Sequence, residues 1–251
     1  MFIDTHCHLS KEDYDDIDLI IHDNRAAGIE KIIISGCTRD SILESLELSK
    51  KYEDVYTTIG YHPSEAIATT EDDLVLLEQQ LQNDKVVGVG EIGLDYHYGK
   101  DDLEEQQALF RKQLSLASKY NMPVVIHSRD ATEDTIHILS EFPDVCGVIH
   151  CFSGSLETAK KYISMGYMLG IGGVVTFQNG KLGSVIQEVG LDSIVLETDS
   201  PYLTPAPNRG KQNSSKYIPD IALKLAELLD ISVDEVSDIT LKNTNRLFDL
   251  T

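Results

Sequence analysis

Short runs of apolar, mostly β-branched residues alternate along the chain with longer stretches whose apolar positions recur at helical spacing. Phe2 to His8 predicts a strand. The stretch from Glu12 to Ala27 predicts a helix with Tyr14, Ile17 and Ile21 on one face, closed by Gly28. The pattern then repeats. Further strands are predicted at 31–35, 55–60, 86–91, 123–127, 145–150, 167–171 and 194–199. Helices are predicted at 41–52, 72–82, 131–142, 156–165 and 182–189, and along the stripe Leu103, Phe110, Leu114 and Ala117. Two helices close the chain, the last opening on Ser232-Val233-Asp234-Glu235, a capping-box sequence.

Eight strand–helix units in 251 residues, with no linker or low-complexity tract, predict a (β/α)8 TIM barrel. The expectation is one hydrolase domain over residues 1–251 with an extra C-terminal helix. The alternative is an open doubly wound sheet. No Gly-x-Gly-x-x-Gly turn follows the first strand, as a dinucleotide-binding sheet of that kind would require.

Composition narrows the functional classes. Lys and Arg number 21 against 42 Asp and Glu, a net charge of -21. That charge disfavours anionic membranes and long-range attraction of nucleic acid. It counts against a DNA-coating protein, but does not exclude an enzyme that meets phosphate only at a metal site, because a bound cation reverses the local field. The four cysteines, Cys7, Cys37, Cys146 and Cys151, form no Cys-x-x-Cys pair, so no thiolate zinc site is expected. They read as small buried thiols in a reducing compartment. No stretch is long enough to cross a bilayer, and the chain reads as cytoplasmic with no membrane partner.

The polar residues carry the chemistry. His6 and His8 are two apart on a strand and share a side, with Asp4 expected beneath them. His62 follows the third strand. Glu91, His127, His150 and Asp199 end the fourth, fifth, sixth and eighth. On a barrel these seven residues ring the C-terminal mouth, where such folds place their chemistry. So many ionisable groups in one buried mouth are costly without a compensating cation. The expectation is a metal centre of one or two ions. Glu197, two before Asp199, is expected one layer down as a support. His22 and His137 fall on helices and are expected in solvent, and His97 either lines the mouth or lies on the surface.

The chain resembles the TatD family of metal-dependent deoxyribonucleases, within the amidohydrolase-like barrels, from Phe2 to about Phe248. The resemblance rests on Asp4-Thr5-His6-Cys7-His8-Leu9, Gly60-Tyr61-His62-Pro63 and Gly90-Glu91-Ile92-Gly93-Leu94-Asp95-Tyr96. It continues through His127-Ser128-Arg129-Asp130-Ala131, His150-Cys151-Phe152-Ser153-Gly154 and Glu197-Thr198-Asp199-Ser200-Pro201-Tyr202-Leu203. It implies that His6, His8 and Asp199 hold one ion, that His127 and His150 hold the other, and that Glu91 bridges them. It also implies 3′-to-5′ exonuclease action on DNA, single-stranded or at 3′ ends. One departure is visible. The family's Asn-Glu-Pro is Asn213-Ser214-Ser215 here, in a loop expected to border the substrate.

The mechanism expected is phosphodiester hydrolysis by a metal-activated water, with two zinc, magnesium or manganese ions per chain. Asp199, Glu91 and His62 are the catalytic candidates, Asp199 accepting a proton. His62, Arg129 and Arg209 are the candidate substrate contacts. Arg209 lies in a long loop from Ser200 to Lys216 that contains Pro201, Pro205, Pro207 and Gly210. Tyr61, Tyr96, Phe152 and Tyr202 adjoin the motifs as candidates to stack on a base. Two other functions fit the same residues: hydrolysis of a small ester, lactone or amide, and a non-catalytic protein that keeps metal for structure.

Overall fold

In the computed structural model, which describes residues 1–99, 101–177, 181–206 and 208–250, the alternation becomes one parallel sheet. Its strands are β1 (Phe2–Cys7), β2 (Ile29–Gly36), β3 (Val55–Ile59), β4 (Val86–Asp95), β5 (Val124–Arg129), β6 (Gly147–Ile149), β7 (Tyr167–Ile171) and β8 (Ile194–Leu196), paired in that order. Between them run α1 (Ile17–Ala26), α2 (Arg39–Lys51), α3 (Glu71–Gln80), α4 (Leu103–Tyr120), α5 (Thr132–Ser140), α6 (Leu156–Ser164) and α7 (Leu182–Val189). Helices α8 (Ile218–Leu229) and α9 (Val233–Leu247) follow β8. The seam between β8 and β1 is joined just beyond β8. The Thr198 and Asp199 N–H groups donate to the His6 carbonyl, and the His8 N–H donates to that of Ser200. The result is the predicted (β/α)8 barrel, nearly closed, with α9 as its extra helix.

Side-chain alternation divides the barrel into an apolar floor and a polar roof. Each strand gives one residue to an inner cluster: Ile3, Ile33, Tyr56, Val87, Val125, Val148, Met168 and Val195. Phe248 and Leu250, from the tail after α9, join this cluster and plug the floor. Two residues onward, the inward positions turn polar: Ser35, Thr58, His127, His150 and Glu197. A second core between sheet and helices includes Ile34, Ile42, Phe110 and Ile221. No described helix is long and apolar enough to cross a membrane.

The boundaries differ from the sequence pattern in informative places. Helix α1 begins at Ile17, not near Glu12, because the Asp16 carboxylate caps the Leu19 N–H. Tyr14 lies before the helix, where its hydroxyl donates to the Asn213 carbonyl. Strand β4 runs four residues past Glu91, while β8 stops at Leu196 and leaves Asp199 in a turn. Register shifts within β1 break the alternation that would set Asp4 under the histidines. Ile3 faces the inner cluster, yet Cys7 packs in the outer one. Asp4 instead accepts from the Thr198 N–H at 3.0 Å and the Thr198 hydroxyl at 2.6 Å, fastening the β8–β1 seam. Pro207 lies outside the described residues.

The plug makes the tail part of the barrel. Phe248 is 1% exposed. Phe248→Ala is expected to cost about 3–5 kcal/mol, the usual range for emptying a buried phenylalanine site. Urea denaturation followed by far-ultraviolet dichroism measures this; a loss below about 1 kcal/mol would show that the tail is dispensable.

Candidate metal centre

The Glu91 carboxylate lies at the middle of the mouth, 4% exposed. Its Oε1 is 2.8 Å from His127 Nδ1 and 3.1 Å from His150 Nε2. Its Oε2 is 3.5 Å from His6 Nε2 and 3.7 Å from His8 Nε2. Asp199 Oδ1 faces the second pair, 3.6 Å from His6 Nε2 and 3.5 Å from His8 Nε2. His62 Nε2 is 3.9 Å from Glu91 Oε1. All seven residues that the sequence assigns to the mouth therefore meet in one place, whereas Asp4, expected beneath His6 and His8, is turned to the seam.

The donor set fits divalent cations. The groups His6–His8–Glu91, His6–His150–Asp199 and Glu91–His127–His150 each bring three ligand atoms within 4.8 Å of one another. Both ring nitrogens of buried His6 have no hydrogen-bond partner among the described residues. Buried polar atoms left unpaired are expensive, and a cation among them removes that cost. Imidazole with carboxylate suits borderline divalent ions.

Outer groups orient the rings. Asp95 Oδ2 lies 3.1 Å from His127 Nε2, and Glu197 Oε1 lies 3.6 Å from His150 Nδ1. Such carboxylate–imidazole pairs fix which nitrogen faces the centre. Glu197 has the supporting place expected of it, and Gly170 leaves room for it. A Cβ at Gly170 would sit 2.1 Å from Glu197 Oε2. Asp95 is not among the sequence candidates, because the apolar pattern predicts a fourth strand that ends at Glu91, four residues short of the observed end. Continuing that strand by its period of two carries the Glu91 face on to Asp95.

Electrostatics follow from these contacts. Burial alone would raise the Glu91 pKa, but His150 and His127 hold it well below the ordinary carboxylate range. Asp199 is likewise opposed by burial and held low by His6 and His8. Burial lowers His6 and brings His62 down to about 4. Burial also works against protonation of His127 and His150. Asp95 with Glu91 outweighs it for the first, Glu91 with Glu197 for the second, and both rings are raised.

Other sequence candidates fall into place or out of it. Arg129 and Arg209 are exposed at the mouth side, and neither has a carboxylate partner among the described residues. Arg129 lies over the Tyr98 ring at 5.3 Å and Arg209 over Phe177 at 4.3 Å. Tyr61, Tyr96 and Phe152 are buried core residues and unavailable for stacking, whereas Tyr202 is 60% exposed. The 213–215 segment does not border the mouth surface. All three residues are buried. The Asn213 amide donates to the Thr198 carbonyl at 2.9 Å, and the Ser214 hydroxyl donates to Asn24 Oδ1 at 2.9 Å. His22 and His137 are exposed as expected, and His97 sits at the surface against Asp130 at 2.9 Å. Of the thiols read as buried, only Cys7 is; Cys146 is exposed, and Cys37 reaches the mouth, its Sγ 3.5 Å from Glu91 Oε2.

Protons and a cation compete for the same nitrogens. With His127 and His150 raised, protons on the cation-free rings must be expelled on loading, so cation affinity rises with pH until the raised pKa values of both rings, above the ordinary histidine value, are passed. Calorimetric titration of zinc into apoprotein, in two buffers of different ionisation enthalpy, is expected to show net proton release. No release, or tighter binding on acidification, would contradict the assignment.

Comparison with known proteins agrees with this geometry. Residues 3–249 match the family described as TatD related DNase. The chain is 42% identical over 252 residues to the metal-dependent hydrolase YabD of Bacillus subtilis, covering 99% of each. Among solved structures it superposes on the TatD homologue YjjV of Escherichia coli with TM-score 0.92 at 34% identity, covering 99% of this chain and 98% of that one. A TatD-family hydrolase of Entamoeba histolytica gives TM-score 0.89 at 26% identity, covering 100% of this chain and 98% of that one. With a family match along nearly its whole length and relatives well above 30% identity, the chain belongs to the TatD family.

Proposed function

We propose that the protein is a divalent-metal-dependent deoxyribonuclease that shortens DNA strands from the 3′ end. The observation that carries this reading is the division of the Glu91 carboxylate, one oxygen toward His127 and His150 and the other toward His6 and His8. That arrangement suits two cations, one on His6, His8 and Asp199, the other on His127 and His150, with Glu91 between them. Bound there, zinc, manganese or magnesium ions would supply Lewis acidity, lowering the pKa of water and offsetting phosphoryl charge.

The chain's own groups divide the remaining work. Asp199, kept ionised by His6 and His8 and open to the mouth, is the proton acceptor. His62 is a hydrogen-bond donor to a phosphoryl oxygen. Its Nδ1 accepts the Ser64 N–H at 3.1 Å, so in the neutral ring the proton sits on Nε2, the nitrogen that faces Glu91. Arg129 and Arg209 form no salt bridge among the described residues, and in an acidic protein they are suited to the phosphates flanking the reacting one.

The openness of the site supports catalysis over a structural metal. The His8, His62 and Asp199 side chains are 24%, 21% and 17% exposed. A closed structural site has no such open side. The net charge of -21 is the observation that favours the second reading, hydrolysis of a small ester, lactone or amide.

Incubation with labelled single-stranded DNA, and separately with a panel of small esters, lactones and amides, separates these. Metal-dependent, chelator-sensitive shortening of DNA is expected. Turnover of the small substrates alone would move the assignment to the second reading. Glu91→Ala and Asp199→Ala are each expected to abolish hydrolysis while leaving the dichroism spectrum intact; retained activity in both would remove their roles. Asp95→Ala is expected to weaken cation affinity by about 10–100-fold, the usual cost of losing a group that orients a ligating histidine. Unchanged affinity in a competition titration with a chromogenic chelator would show that the His127–Asp95 contact is incidental.

A further inference from the structure

We propose that Tyr202 and Tyr98 are two nucleobase seats on opposite sides of the metal centre, so that the strand lies across the mouth with one base on each side of the cleaved phosphate. This rests on the DNase reading above and deepens it.

Topology places the two rings apart. With the strands paired in order around the barrel, the β8–β1 seam lies diametrically opposite the β4–β5 pair. Tyr202 follows β8, and its ring centroid is 6.4 Å from that of His8, the residue just past β1. Tyr98 follows β4, and its hydroxyl accepts from Arg129 Nη1, at the end of β5, at 3.4 Å. Glu91 and the histidines lie between.

Both rings are left in solvent, Tyr202 at 60% and Tyr98 at 85% exposure. The neighbouring Tyr61 and Tyr96, by contrast, are at 3% and 9%. Exposed aromatic faces beside a polar mouth suit planar ligands. Tyr98 is also pre-positioned: the Arg129 guanidinium lies 5.3 Å from its ring centre. That pair offers a face to a base and a cation to the adjoining phosphate, the combination single-strand binders use. A small ester has nothing to place on two seats on opposite sides of one centre.

The test uses the metal-loaded full chain and short oligothymidylates, either complete or with an abasic sugar on one side of the cleaved phosphate. Tyr202→Ala, Tyr202→Phe, Tyr98→Ala and Tyr98→Phe are compared with the parent protein in double-mutant cycles of base removal against ring removal. In the parent, removing either base is expected to lower kcat/KM by roughly tenfold or more, as loss of a base–aromatic stack does. In the alanine variant of the matching tyrosine the same removal has little further effect, and phenylalanine restores the sensitivity. Independent, multiplying losses for both tyrosines would overturn the seats while leaving the DNase reading in place. If the parent protein does not cleave the complete strand at all, the DNase reading fails and the seats fail with it.

Discussion

A carboxylate set among imidazoles and shut off from water governs this molecule. Glu91 is nearly buried, and four histidine nitrogens stand around its two oxygens. Without a cation the ensemble stays charged by borrowing protons, as the raised His127 and His150 indicate. With cations, the imidazoles would become neutral ligands and the orphaned Nε2 of His6 would gain a partner. The barrel therefore folds around a demand for positive charge that its own side chains only partly meet.

The rest of the structure answers the question of how such a cluster is held. Eight inward apolar residues and the Phe248 plug form a dry floor. That floor fixes the strands, and the next inward layer carries the polar groups at a set height. Asp95 and Glu197 then fix the ring orientations, and the absence of a side chain at Gly170 makes space for Glu197. The buried 213–215 segment works from behind. Asn213 donates to the Thr198 carbonyl, holding the turn that presents Asp199.

Much of this was legible in the chain. Strand order, barrel closure and the converging residues follow from a period-two pattern whose strands end in histidine or acid. Local departures from that period were not legible. The register shifts in β1 turn Asp4 to the seam, and no propensity marks them. The extension of β4 hides Asp95 because Gly93-Leu94-Asp95 reads as a turn by composition. The early start given to α1 reflects Tyr14, whose apolar ring mimics a helical stripe but is buried by a bond to Asn213, 199 residues away. Exposure is likewise a tertiary property, so Tyr98 and Tyr202 could not be told from the buried Tyr61 and Tyr96 without coordinates.

As a metal-dependent hydrolase of the TatD family, the protein joins an acidic sequence to a mouth lined by clustered imidazoles and carboxylates that could hold metal ions. The account is tested most directly by crystallographic anomalous scattering from protein loaded with zinc or manganese. Two peaks astride the Glu91 carboxylate are predicted, one coordinated by His6, His8 and Asp199 and the other by His127 and His150. Ions elsewhere, or a Glu91 carboxylate with no ion on either oxygen, would contradict it.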